Sequence, residues 1–221
     1  MIELDKRHIS NQVLTYLRKD ILLQKLKEGA HLKESELSKE LSISRGPIRE
    51  AISKLEAEGL VKTPANGRTV VQKFGETDIK HLYESRILLE NYALSMHDSE
   101  LLERDGHLLN EYINQMENSL TGTGQDVDLD LKFHFLLVEM TGNKTLIRLW
   151  LSMNEVIKTL IEVTTEFTAT RQKEIFLEHK VVADAVMKGD IEEAQKLLRF
   201  HLEGASDYYS RAVFELQEEG E

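Results

Sequence analysis

The 221-residue sequence contains no cysteine, which excludes a disulfide framework and any thiolate metal site and fits a reducing cytoplasm. It has no stretch approaching the roughly 18 uncharged apolar residues of a membrane span. The opening MIELDKRHISNQVL scatters charge where a signal peptide would need an apolar run. The chain therefore reads as cytoplasmic, without a membrane partner. Proline is scarce too. Only Pro47 and Pro64 occur, so residues 65–221 form a run of 157 without one, rich in Leu, Glu and Lys, as consecutive long helices require.

Basic residues are outnumbered, 28 against 39 acidic, and a net charge of -11 argues against a polyanionic partner until it is divided along the chain. Residues 1–75 hold 14 Lys+Arg and 10 Asp+Glu, a net of +4, whereas 76–221 hold 14 and 29, a net of -15. A basic front joined to an acidic back points to two domains, 1–75 and 76–221, the front built for a polyanion.

The front reads as three helices and a hairpin. Val13, Leu17, Ile21 and Leu22 give an inward stripe to a helix over about 8–26, ending before Gly29. A short helix, ESELSKEL, leads through Ser42-Ile43-Ser44 into the helix of GPIREAISKLEAEGL. Pro47 falls third in that helix, where a missing N–H costs nothing, and the Ser44 hydroxyl is expected to cap the first turn. Ile48, Ala51, Ile52 and Leu55 form the buried stripe. Arg45 and Arg49 then crowd an end where the helix dipole already favours anions, so they serve an external anion. Two helices, a tight turn and a cationic helix start make a helix-turn-helix, whose second helix enters the major groove of double-stranded DNA. Arg45 and Arg49 would reach guanine edges or phosphates, with Ser44 and Gly46 close to the backbone. LVKTPANGRTVV reads as strand, turn, strand, a wing tipped by Asn66, Gly67 and Arg68. A plain three-helix bundle with two exposed arginines is the simpler alternative, and the cap, turn, charge and wing together weigh against it.

Residues 78–218 divide into about six helical stretches, broken at Asp98-Ser99, TGTGQ, Gly142, Ala169 and Gly189-Asp190, and so form an all-α bundle. Four polar residues occupy inward positions. Asp130 and His134 are i, i+4 neighbours on the face of Val127, Leu131 and Val138; His179 is in register with Ile175, Val182 and Val186, and His201 with Ala194 and Ala205. One carboxylate and three imidazoles converging in a core would suit a divalent metal of the zinc or nickel type. Separately hydrogen-bonded core histidines are the alternative by spacing alone.

The run EGAHLKESELSKELSISRGPIREAISKLEAEGLV resembles the winged helix of GntR-family bacterial regulators over residues 10–72. In the FadR subgroup, arginines at the positions of Arg45 and Arg49 contact DNA, which the resemblance implies here. Some members also use a basic residue where this sequence has Ser35, a departure that leaves Ser35 at most a phosphate hydrogen bond. The back half resembles the FCD-type effector domain of that subgroup. Metal-binding members carry Asp-x-x-x-His, a histidine about 45 residues on and another about 22 beyond; Asp130, His134, His179 and His201 reproduce that pattern. The resemblance further implies a small carboxylic acid effector beside the metal, zinc or alternatively nickel, and Arg86 matches an arginine that lines the effector pocket. Arg86 and Glu90 otherwise form an i, i+4 pair of little energetic value. The leading expectation is a homodimeric, ligand-responsive transcription regulator on operator DNA, not an enzyme, with repressor and activator both left open by the sequence. A metal-dependent enzyme using the Asp/His3 set, and a regulator for which the metal itself is the signal, are the alternatives.

Overall fold

A computed structural model of the chain describes residues 6–65, 67–120, 127–165 and 171–218. Asn66, the TGTGQ turn and the break at Ala169 lie outside the described residues. Among those described, nine helices and one two-stranded antiparallel sheet are found, and no helix is long and apolar enough to cross a membrane. The chain divides into two compact units, one reaching to Glu76 and taking in the chain from Val213 onward, the other spanning Thr77–Ala212.

The first unit is a winged helix-turn-helix: α1 (Lys6–Leu22), α2 (Glu34–Glu40), α3 (Arg45–Ala57), β1 (Val61–Lys62) and β2 (Val70–Val71). The apolar stripe of α1 packs on that of α3, with Leu17, Ile48 and Leu55 fully buried. Arg18, 1 % exposed, reaches Glu58 through Nε (2.8 Å) and Nη2 (2.7 Å), an ion pair that pins α1 to the end of α3. Helix α1 stops at Leu22, four residues before the periodicity predicts. The Leu22 carbonyl accepts from Gln217 Nε2 (2.8 Å), and Gln24, at φ 53°, donates to Gln217 Oε1 (3.1 Å). A tertiary partner ends this helix, and no local pattern announces one.

Ser44 has the extended backbone of an N-cap but makes no capping hydrogen bond, which corrects the sequence expectation. The amide that an N-cap oxygen takes belongs to the second or third helical residue, and the third is Pro47, which has none. The turn is instead closed by Ser38 Oγ donating to the Ile43 carbonyl at 2.6 Å, with Ser42 at φ 55°. In the wing, Val61 pairs with Val71 and Lys62 with Val70. His31 bridges to Val70, and Leu32 N donates to the Thr69 carbonyl (3.1 Å), so the segment before α2 adds a short third edge.

The second unit is an all-α bundle of α4 (Glu76–Ser95), α5 (Ser99–Ser119), α6 (Val127–Glu139), α7 (Lys144–Val163), α8 (Gln172–Met187) and α9 (Ile191–Glu218), whose last turns, from Val213, belong to the first unit. Asp98 caps α5, Asn143 caps α7 through the amides of Thr145 and Leu146, and Asp190 accepts from Glu193 N at the start of α9. Helix α5 packs on α6 and α8, and α6 on α7, around Trp150, Phe133, Leu137 and Leu160. Helix α6 is apolar on nearly every side, so Asp130 and His134 sit in the middle of the bundle.

Candidate metal centre and DNA-binding face

Helices α6, α8 and α9 bring Asp130, His134, His179 and His201 together, one ligand atom from each lying within 4.8 Å of the others, and all four are buried. His134 and His179 face each other Nε2 to Nε2 at 3.0 Å, and His179 Nε2 lies 3.3 Å from Asp130 Oδ1.

The other ring nitrogen of each histidine is already engaged. His179 Nδ1 donates to the Ile175 carbonyl at 2.7 Å, a partner that can only accept, so its proton is on Nδ1. His134 Nδ1 donates to Glu90 Oε2, and His201 Nδ1 to Glu178 Oε2, each at 2.7 Å. Burial works against the Glu178 carboxylate, but the His201 hydrogen bond holds its pKa below the usual range, so it accepts. Glu90 is wholly buried and also takes Arg86 Nε (2.7 Å) and Trp150 Nε1 (2.9 Å) on Oε1. Burial raises the Glu90 pKa, but a neutral Glu90 would leave the permanently charged Arg86 unpaired in the core, so the pair requires the carboxylate. Burial, then the Arg86 charge, hold His134 far below the ordinary imidazole range; burial, then His179, lower His201. Burial works against the Asp130 carboxylate, and its pKa falls below the ordinary range when His179 carries a second proton on Nε2, aimed at it.

Three imidazoles with protons directed outward thus turn their bare nitrogens on one another and on a carboxylate. Two lone pairs 3.0 Å apart repel unless a positive charge sits between them. A proton shared through His179 can supply it, and so can a cation. The donor set, three neutral imidazoles and one carboxylate with outer partners fixing each ring, fits a metal ion.

Arg86 is 2 % exposed, so its pairing with Glu90 is a buried ion pair and not the weak surface pair that i, i+4 spacing alone implies. Its Nη2 and the Tyr83 hydroxyl are buried and make no hydrogen bond of good geometry. Both line a small cavity of about 20 Å³, open on one side, whose wall also includes Asp130, His201, Arg171 and Tyr208. The Arg171 guanidinium lies over the Tyr208 ring at 5.1 Å and 3.6 Å from Glu178. Sequence reading missed Glu178, Trp150 and Tyr83 here; their role depends on tertiary contact, and only Glu90, one turn from Arg86, had a positional signal.

On the winged helix, Ser44, Arg45, Gly46 and Arg49 are exposed along the start of α3, with Ser35 half-buried at the start of α2. A side chain at Gly46 would meet nothing within 4 Å, so the fold itself does not require glycine there. Gly67, at φ 72°, turns the wing with its amide on the Pro64 carbonyl, and Arg68 is exposed beside it. Arg49 is paired with Glu34 of α2, a partner the sequence did not reveal.

Residues 9–71 match the bacterial regulatory proteins of the gntR family, and residues 81–204 match the FCD domain. The chain belongs to the gntR family and carries an FCD domain: it is a DNA-binding transcriptional regulator. It is 27 % identical to the HTH-type transcriptional regulator YdhC of Bacillus subtilis over 210 residues, covering 94 % of this chain and 93 % of that one. It is also 27 % identical to the gluconate operon transcriptional repressor of Bacillus subtilis, over 72 % of this chain and 65 % of the other. Among solved structures, Lar, which controls expression of the Listeria monocytogenes agr system, shares the fold with a TM-score of 0.68 at 19 % identity, covering 91 % of this chain and 96 % of that one. The relatives and the two matched families are regulators, not enzymes.

Proposed function

We propose that this regulator is a homodimeric repressor that holds a divalent metal through Asp130, His134, His179 and His201 and responds to a small carboxylic acid bound beside it. Zinc suits the donor set, with nickel as the alternative. The observation that carries the reading is the convergence of three bare Nε2 atoms and one carboxylate next to a cavity where the Arg86 Nη2 makes no hydrogen bond of good geometry. Charge supports the effector class. Arg86 offsets Glu90, Arg171 offsets Glu178 and the imidazoles are neutral, so a divalent ion against Asp130 alone leaves one positive charge toward the cavity. A carboxylate cancels it and can take the remaining Arg86 N–H groups. The metal would supply a Lewis-acidic anchor for that carboxylate. Arg86, Tyr83 and Arg171 would orient the rest of the acid.

On the DNA side, Arg45, Arg49, Ser44 and Gly46 would enter the major groove. Ser35 would meet a phosphate, and Asn66, Gly67 and Arg68 would lie along the backbone or minor groove. Repression is supported by the relative that is itself an operon repressor. A dimer follows from the two half-sites a helix-turn-helix usually reads. Elemental analysis with native mass spectrometry of the full chain tests the centre: about one divalent ion per chain in a dimeric species is expected, and a metal-free protein that takes up no added zinc or nickel would sink it. Titrating small acids, and separately the metal, against operator binding then distinguishes an acid effector from a metal signal.

A further inference from the structure

Arg49 is 71 % exposed, yet its side chain is not free. Nε donates to Glu34 Oε1 and Nη2 to Glu34 Oε2, both at 2.9 Å, a two-pronged pair between the start of α3 and the first residue of α2. Arg45, one turn earlier on the same face, also lies within electrostatic reach of the Glu34 carboxylate but without the two-pronged contact. An exposed pair of this kind contributes little to stability. It does fix which edge of the guanidinium is spent. The Nε/Nη2 edge is taken, so Nη1 and the second Nη2 hydrogen form the fork that remains, the one whose spacing matches O6 and N7 of guanine. A carboxylate on a DNA-facing surface also repels phosphate, which lowers affinity for any duplex irrespective of sequence.

We propose that Glu34 is a specificity-determining positioning residue of the DNA interface, holding Arg49 so that its outer fork is presented to one guanine. The pairing trades general affinity for discrimination. This inference rests on Arg49 contacting DNA, and the two can fail separately.

The test uses the full chain, the tightest duplex it selects from a randomised library, and a scrambled duplex of the same composition. E34A should bind the selected duplex about tenfold more weakly, within the range of one good base contact. It should bind the scrambled duplex as well as the parent or better. E34Q, which can still accept one hydrogen bond, should fall between. In an R49A background, E34A should cost nothing further, and replacing the contacted guanine by 7-deazaguanine should hurt the parent more than E34A. If E34A binds the selected duplex as tightly as the parent or more so, Glu34 only repels DNA and the proposal is overturned. An equal loss on both duplexes, or the same loss with and without Arg49, overturns it too. Should E34A melt at a lower temperature than the parent, E34Q carries the comparison. If R49A itself binds the selected duplex normally, the underlying Arg49 contact is wrong; if R49A loses affinity and E34A and E34Q do not, only Glu34 is wrong.

Discussion

A histidine can serve a metal only if its free nitrogen points the right way, and here that is decided by Glu90, Ile175 and Glu178, which hold the three Nδ1 atoms. Glu90 is the most heavily used of them, since one carboxylate serves His134, Arg86 and Trp150. Replacing it with Gln keeps the shape but removes the charge. We expect Glu90→Gln to weaken zinc affinity about 10–100-fold, measured by competition with a chelating dye. It should also destabilise the bundle by about 3 kcal/mol, because Arg86 is left as an uncompensated buried charge. Unchanged zinc affinity would mean that Glu90 only neutralises Arg86. At the DNA face the residues separate differently. Arg45→Ala should lower operator affinity about five- to hundredfold if it reads a base. Arg68→Ala, on the wing, should weaken binding to every duplex and reduce the salt dependence by about one phosphate contact. Binding measured on operator and scrambled DNA across salt concentrations separates the two. A sequence-independent effect of Arg45→Ala would place Arg45 on the backbone instead.

Helix starts show how element-level signals can mislead when one residue is changed. Ser44 before α3 and Asn143 before α7 both have the extended backbone of an N-cap. Asn143 accepts two first-turn amides, while Ser44 accepts none because Pro47 removes the nearest donor. Asn143→Ala should therefore cost about 1 kcal/mol in urea unfolding, and Ser44→Ala no more than a few tenths. A Ser44→Ala cost near 1 kcal/mol would show that the hydroxyl caps in solution after all. The same contrast explains what was legible in the sequence. Periodicity and breakers give the helix order, the wing and the inward placement of Asp130, His134, His179 and His201, because each is a local property of one segment. The end of α1 at Leu22, the Arg18–Glu58 pair, the Glu34–Arg49 fork and the Glu90 and Glu178 anchors were not legible. Each joins residues 15 to 195 positions apart, and no single-segment pattern carries that information.

At the scale of the whole molecule, α9 is the element that both functions share. It carries His201 of the candidate metal cluster, and its last turns belong to the first unit, where Gln217 holds the carbonyl that ends α1. On the proposed reading, a shift of α9 at His201 would act through the same helix that carries Gln217. Linkage then fixes the sign: an acid that weakens operator binding must bind the DNA-bound protein less tightly by the same factor, typically about 1–3 kcal/mol of coupling. The His179→Ala, His201→Ala double variant tests this arrangement. It should lose its metal, melt at a lower temperature than the zinc-loaded parent because ligand binding to the folded state is lost, and no longer release operator DNA when acid is added. Retention of one metal per chain would mean that the ligands lie elsewhere. Loss of metal with a normal acid response would make the ion a staple of the bundle, leaving Arg86 and Arg171 to recognise the effector alone. Removing Gln217 by Gln217→Ala separates recognition from transmission: metal and acid binding should persist while the acid's effect on operator affinity shrinks. An undiminished effect would show that coupling does not run through the end of α9.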